Sequence, residues 1–297
     1  MTDERTQSSE TTTDPEFSAT DLVIGYPGLD EPVIDGESIQ VPPGDITALI
    51  GPNGSGKSTL LKGFADQLTP DAGTVLLDGQ TIDSLGAKEL ARKLGLLSQE
   101  NVSPDGLSVE DLVERGRYPH QGFFDSMTDA DWQAIEDAIE LAGVEHLRER
   151  EVGDLSGGQK QLVWIAMALA QDTDILLLDE PTTFLDLHHQ LEVMSILESL
   201  RDDAMTVVVV LHDVEQAIRY ADHVVALDEG SIYDYGPPAE AVTESLLTDV
   251  FDIEAAILDT EYGRQIVPLD PAEGNGDRGS ETPADRAQPN DGSGADE

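Results

Sequence analysis

The chain has 297 residues, of which 61 are acidic and 16 basic, for a net charge of −45, and it contains no cysteine. That length suffices for one large domain or two modest ones with a buried core, while the missing thiols exclude disulfides, thiolate metal sites and cysteine nucleophiles. So high a negative charge repels DNA and anionic lipid over most of the surface, which argues against nucleic acid as a ligand.

In chain order, residues 1–16 carry five acids and no aromatic, the pattern of a solvated tail, and no apolar signal segment. Residues 22–26, 38–41 and 46–50 read as short strands separated by Pro and Gly turns. The third strand runs into Gly51-Pro52-Asn53-Gly54-Ser55-Gly56-Lys57-Ser58, and Thr59 opens a helical stretch. Glycines at this spacing let successive backbone N–H groups curl around an anion at the positive end of the following helix. Lys57 is then placed to reach the β- and γ-phosphates of a nucleotide, and Ser58 to ligate Mg²⁺. A strand before the loop and a helix after it are the context that makes this a phosphate cradle.

Beyond it, residues 73–79 read as a strand closed by the Asp78-Gly79 turn, and 94–99 as a strand ending on Gln99. From about 100 to 170 the expectation is an inserted helical subdomain, with capping boxes opened by Ser108 and Thr128 and a stop at Gly143. Strand and helix then alternate: strand 175–178, helix 187–200, strand 207–211, helix 214–220, which is the pattern of a parallel α/β sheet. Residues 224–227 and 231–233 form an expected hairpin, 237–251 a terminal helical piece, and 271–297 a second acidic tail, so the folded body is expected at 17–270. No apolar run approaches the ~18 residues that span a bilayer, so a membrane role would come through a partner. No internal repeat is visible, which implies a single nucleotide module.

Two further stretches carry chemistry. The apolar run Ile175-Leu176-Leu177-Leu178 ends in Asp179-Glu180, at the strand end where open α/β sheets place ligands. Asp179 is the candidate to hold Mg²⁺, and Glu180 the candidate to orient and polarise an attacking water. Leu155-Ser156-Gly157-Gly158-Gln159 opens an apolar helix and offers a second anion-binding helix N-terminus.

The phosphate loop, Gln99, Leu155 to Gln159, the 175–180 strand, Thr183-Phe184-Leu185-Asp186 and His212, in this order, resemble the ATP-binding cassette (ABC) ATPases over roughly residues 17–260. The resemblance implies a P-loop NTPase fold with a RecA-like parallel sheet, an N-terminal antiparallel β subdomain and the inserted helical subdomain. It implies ATP and Mg²⁺ as cofactors and a homodimer facing head to tail, in which ATP on one phosphate loop meets Ser156, Gly158 and Gln159 of the other copy. In the same carry-over Tyr26 stacks on adenine, Gln99 lies near Mg²⁺ and the water, Asp186 belongs to the cross-dimer loop and His212 senses the γ-phosphate. By its residues alone Tyr26 is equally a core aromatic.

Residues 115–122, 164–173 and 182–187 resemble the ferric-siderophore and cobalamin importer ATPases. That subfamily implies a permease dimer, a substrate-binding protein outside the cell and a peripheral place on the cytoplasmic face of the membrane; heme is a further cargo to consider. A soluble ABC scaffold, such as an iron–sulfur assembly ATPase, is the alternative from another class. Lys160 stands where relatives usually carry Arg after the Leu155–Gln159 stretch. His188-His189 invites a metal-site reading, but adjacent histidines rarely face one ion. Finally, the acidity resembles that of proteins from salt-loving microbes, where ~1 M salt shortens the Debye length to about 3 Å; folding and activity are expected to need high salt.

Overall fold

The computed structural model describes residues 17–102, 106–122 and 126–272. The expected tail at 1–16, and that at 271–297 apart from Pro271 and Ala272, lie outside the described residues; those two belong to the folded body instead. The last strand continues through Pro271, and the N–H of Ala272 still donates to the carbonyl of Asp252 at 2.9 Å.

Three strands, β3 (Ile46–Ile50), β7 (Ile175–Asp179) and β8 (Thr206–Val210), are buried at every position. Such fully buried, mostly apolar strands belong in a parallel sheet covered on both faces. They sit at the centre of a six-stranded sheet completed by β6 (Leu94–Leu97), β9 (His223–Asp228) and β10 (Ser231–Gly236), in the order β10-β9-β3-β8-β7-β6. All neighbours are parallel except β10 on β9. Because side chains alternate along a strand, the sheet divides the core in two. Ile46, Ala48, Leu176, Leu178, Val207 and Val209 join one apolar cluster; Leu49, Ile175, Leu177, Val208 and Val210 join the other.

The second cluster is closed by α1 (Lys57–Phe64) and by an antiparallel sheet of β1 (Phe17–Ile24), β2 (Ile34–Val41), β4 (Ala72–Leu77) and β5 (Gln80–Thr81). β1 begins five residues before the expected strand at 22–26. A register shift between Ala19 and Leu22, with Asp21 at φ 48°, breaks the alternation that marks a strand in sequence.

The first cluster is closed by the helical subdomain, in which α3 (Val109–Glu114) and α4 (Asp129–Leu141) pack against α5 (Gly157–Leu169). Ser108 and Asp111, and Thr128 and Asp131, form the two expected capping boxes, each a contribution of about 1 kcal/mol. Gly143, at φ 67°, ends α4 as expected. Much of the 115–122 stretch is structural. A Cβ on Gly116 would lie 2.3 Å from the Met167 carbonyl, and Arg117 donates to Asp131 and to the Ala170 carbonyl, both at 2.9 Å. Helix α2 (Ala87–Lys93) leads into β6, and Gln171 donates to the carbonyls of Ala91 and Leu94, tying the end of α5 to the start of that strand.

Helices α6 (Leu187–Asp202) and α7 (Val214–Tyr220) cover the remaining sheet. The expected helical piece at 237–251 is two short helices, α8 (Pro238–Ala241) and α9 (Glu244–Asp249). They are followed by a hairpin of β11 (Ile253–Thr260) and β12 (Gly263–Pro271) that the sequence reading did not resolve, because both strands are largely exposed and lack an apolar alternation.

Candidate nucleotide site

The register of the parallel strands brings their C-terminal ends level: Leu97 lies beside Leu178, Asp179 beside Val210, and Leu49 beside Val210. The segments that leave these ends are Ser98-Gln99, Glu180, Leu211-His212 and the phosphate loop. Four stretches distant in sequence thus share one sheet edge, where open α/β folds bind ligands.

In the loop, Gly51, Gly54 and Gly56 have φ of 147°, 84° and 100°, a region L side chains rarely adopt. A Cβ on Gly51 would also sit 2.2 Å from the Leu227 carbonyl. Gly56 opens α1 without a side-chain cap, leaving the first-turn N–H groups to a ligand. Lys57 is buried, and its ammonium donates at 2.8 Å to the carbonyls of both Gly51 and Pro52. Burial pushes its pKa down, against the raising effect of the Glu180 and Asp179 charges. Thr59 lies on the same turn, its hydroxyl 3.2 Å from that of a half-buried Tyr26. Tyr26 therefore borders the loop instead of lying in the apolar core.

Ser58 Oγ donates to Asp179 Oδ1 at 2.8 Å. Asp179 is 4% exposed, and burial, reinforced by the neighbouring Glu180 charge, pushes its carboxyl above the usual range while the Ser58 bond opposes. A hydroxyl and a buried carboxylate beside a phosphate cradle fit the hard-oxygen chemistry of Mg²⁺, which takes few protein ligands and completes its shell with phosphate and water. No group of three or more His, Cys, Asp or Glu side chains able to hold a metal occurs among the described residues.

Glu180, the next residue, has φ 53° and places its carboxylate at the strand end. Its Oε2 accepts from Gln99 Nε2 at 2.5 Å and from Thr183 Oγ1 at 3.2 Å, and lies 2.7 Å from His212 Nε2. All three catalytic candidates, Gln99, Glu180 and His212, thus converge on one oxygen. Gln99 meets the glutamate, with no hydrogen bond to Asp179. Thr183 enters the sequence reading only as part of the 183–186 and 182–187 stretches, with no site role; in the fold its N–H donates to the Glu180 carbonyl.

The second candidate stretch, residues 155–159, stands apart. Ser156 caps α5, accepting from the Gln159 N–H at 3.3 Å, while Gln159 Oε1 accepts from the Ser156 N–H at 3.2 Å. Leu155 is buried, whereas Ser156 and Gly157 are exposed. No described hydrogen bond links residues 155–159 to the phosphate loop. Asp186 caps α6 by accepting the His189 N–H at 3.0 Å. Beside it Phe184 is 98% exposed, an apolar side chain turned to solvent. His188 pairs with Glu192 while His189 meets Asp186, so the adjacent rings do not share one ligand position.

The model of the ABC transporter family matches residues 34–183. The ferric enterobactin transport ATP-binding protein of Escherichia coli K12 is 46% identical over 251 residues, 84% of this chain and 92% of that protein. The petrobactin import ATP-binding protein FpuD of Bacillus anthracis is 47% identical over 226 residues, 76% of this chain and 83% of its own. Among solved structures, a dimeric bacterial ABC transporter cassette superposes with a TM-score of 0.67 at 28% identity, covering 75% of this chain and 98% of that one. Strand ends, loop and family thus agree, and the chain belongs to the ATP-hydrolysing, ATP-binding subunits of ABC transporters.

Proposed function

We propose that this ATPase energises uptake of iron(III)–siderophore complexes through a separate permease dimer, working as a homodimer fed by a substrate-binding protein outside the cell. The cargo reading rests on the two relatives above, both named for siderophore import. No helix of the described residues is long and apolar enough to cross a membrane, so attachment to the cytoplasmic face goes through that permease.

The observation that carries the catalytic reading is the convergence of Gln99 and His212 on Glu180 Oε2. On nucleotide binding, Lys57 exchanges the Gly51 and Pro52 carbonyls for phosphate oxygens, regaining a counter-charge for its buried ammonium. Ser58 and Asp179 would hold Mg²⁺, which when bound would supply charge neutralisation for the phosphates. Glu180 then orients a water toward the γ-phosphorus and takes up its proton as the bond to the bridging oxygen breaks. Gln99 and His212 fix the carboxylate, and His212 is placed to exchange it for the γ-phosphate. The second copy brings Ser156, Gly158 and Gln159 to the phosphates, which accounts for an anion site remote from the loop.

The test is uptake of labelled ferric siderophore and labelled cobalamin, in high salt, by cells whose only copy carries Glu180→Gln. Loss of ferric uptake alone is expected. Loss of cobalamin uptake alone would change the cargo, and normal uptake of both would point to a soluble scaffold.

A further inference from the structure

Within one chain, the two elements expected to face the partner's nucleotide meet at the side chain of His189. The imidazole of His189 lies over Gly158: a Cβ there would be 2.4 Å from the ring's Cγ and Cδ2 and 2.6 Å from Nδ1. No side chain larger than hydrogen fits under the ring while it stays in place. The same Nδ1 is 2.8 Å from Asp186 Oδ1, the oxygen that accepts the His189 N–H. The ring is 21% exposed, against 77% for His188, so it is packed instead of waving in solvent. The next residue braces the same loop, since Gln190 Nε2 donates to the Leu185 carbonyl at 3.1 Å. Gln216 holds Gln190 at 3.2 Å and accepts from Thr182 at 3.2 Å, closing a ring of bonds from residue 182 to 190.

We propose that His189 is a positioning residue that locks the Asp186 loop to the first turn of α5, so that the two present to the partner as one rigid body. The physical reason is economy of ordering. Two elements that must dock simultaneously on one nucleotide lose less freedom on docking if they are already fixed to each other. The inference rests on the head-to-tail dimer reading above. His189 makes no described hydrogen bond to the phosphate loop.

The experiment uses the full chain with Glu180→Gln, adding His189→Ala or His189→Asn, and measures the ATP concentration for half-maximal dimerisation by sedimentation. Binding of a fluorescent ATP analogue to the monomer is measured alongside. With alanine, monomer binding is expected within twofold of the parent, while the ATP required for dimerisation rises about tenfold. In the otherwise native chain kcat falls by a similar factor. Asparagine can still donate to Asp186 but leaves Gly158 uncovered, and a rise of at least about threefold is expected. It is also the variant to read if alanine lowers thermal stability. Dimerisation of either variant at the parent's ATP concentration overturns the proposal, as does a parallel loss of monomer binding, which would mark His189 as a general fold residue. A parent that fails to dimerise with ATP overturns the dimer reading itself, and this inference with it.

Discussion

Two aspartates, almost equally buried, show how differently this chain uses a carboxylate. Asp131 in the helical subdomain is 6% exposed and Asp179 at the nucleotide edge 4%. Asp131 accepts from the Thr128 N–H at 2.9 Å, the Thr128 hydroxyl at 2.7 Å and Arg117 Nε at 2.9 Å, and these bonds, the Thr128 pair foremost, hold its pKa at about 2. Among the described residues Asp179 accepts one bond, from Ser58, and burial pushes it the other way. The first is a finished structural joint. The second is a desolvated anion short of partners beside a phosphate loop, the condition in which a cation is most strongly recruited.

The largest effect that sharpens this comparison lies one residue on. Glu180→Gln should lower steady-state hydrolysis by about 10²-fold or more, since the acceptor at the water is lost, while Asp179 and Mg-ATP binding persist. Phosphate release under saturating Mg-ATP measures it, and near-wild-type turnover would remove Glu180 from its role.

On the structural side, Arg117→Ala deprives Asp131 of its cation and the Ala170 carbonyl of a donor. It should cost about 3 kcal/mol of stability in denaturant titration, with nucleotide affinity intact. A cost below about 0.5 kcal/mol, typical of surface sites, would show that the joint is not structural.

The opposite shifts predict opposite pH dependences. For Asp179 the folded pKa exceeds the ordinary 3.8, so the native state binds the extra proton. Its contribution to the stability of the nucleotide-free protein is full below 3.8 and is lost as pH rises through the raised value. Mg²⁺ needs the ionised form, so the rise in Tm given by Mg-ATP should shrink as pH falls toward that value, and Asp179→Asn should flatten the trend. For Asp131 the stability is present above 3.8 and is lost as pH falls toward about 2. Circular dichroism of the wild type and Asp131→Asn between pH 5 and 2 checks this; identical acid transitions would break the contrast.

The smallest and most general effect concerns the surface around both sites. Screening the net charge of −45 should raise Tm and ATPase activity between dilute buffer and molar KCl. Equal values in both would mean that surface repulsion costs the fold nothing.

What was legible in the chain was what neighbours in sequence decide. The glycine spacing of the phosphate loop, the Ser108, Thr128 and Ser156 caps and the fully buried strands each need only a few adjacent residues, because turn conformation, capping and side-chain alternation are local. β1 was cut short where a bulge interrupts alternation, and the hairpin from Ile253 to Pro271 has too little burial to leave a pattern. The strand-end acids point to Glu180 and the resemblance to Gln99 and His212, but the meeting of all three at one oxygen depends on the sheet order β3-β8-β7-β6, which runs out of sequence. Ser58 and Asp179 are 121 residues apart, Gln99 and Glu180 81 apart. Such pairs form only after the chain closes long loops, and no local signal encodes the register that aligns them. By itself the sequence thus determined the elements and the chemical groups they carry. Which groups touch, from the Ser58–Asp179 pair to His189 over Gly158, was decided by packing, because distance and desolvation exist only once the sheet is assembled.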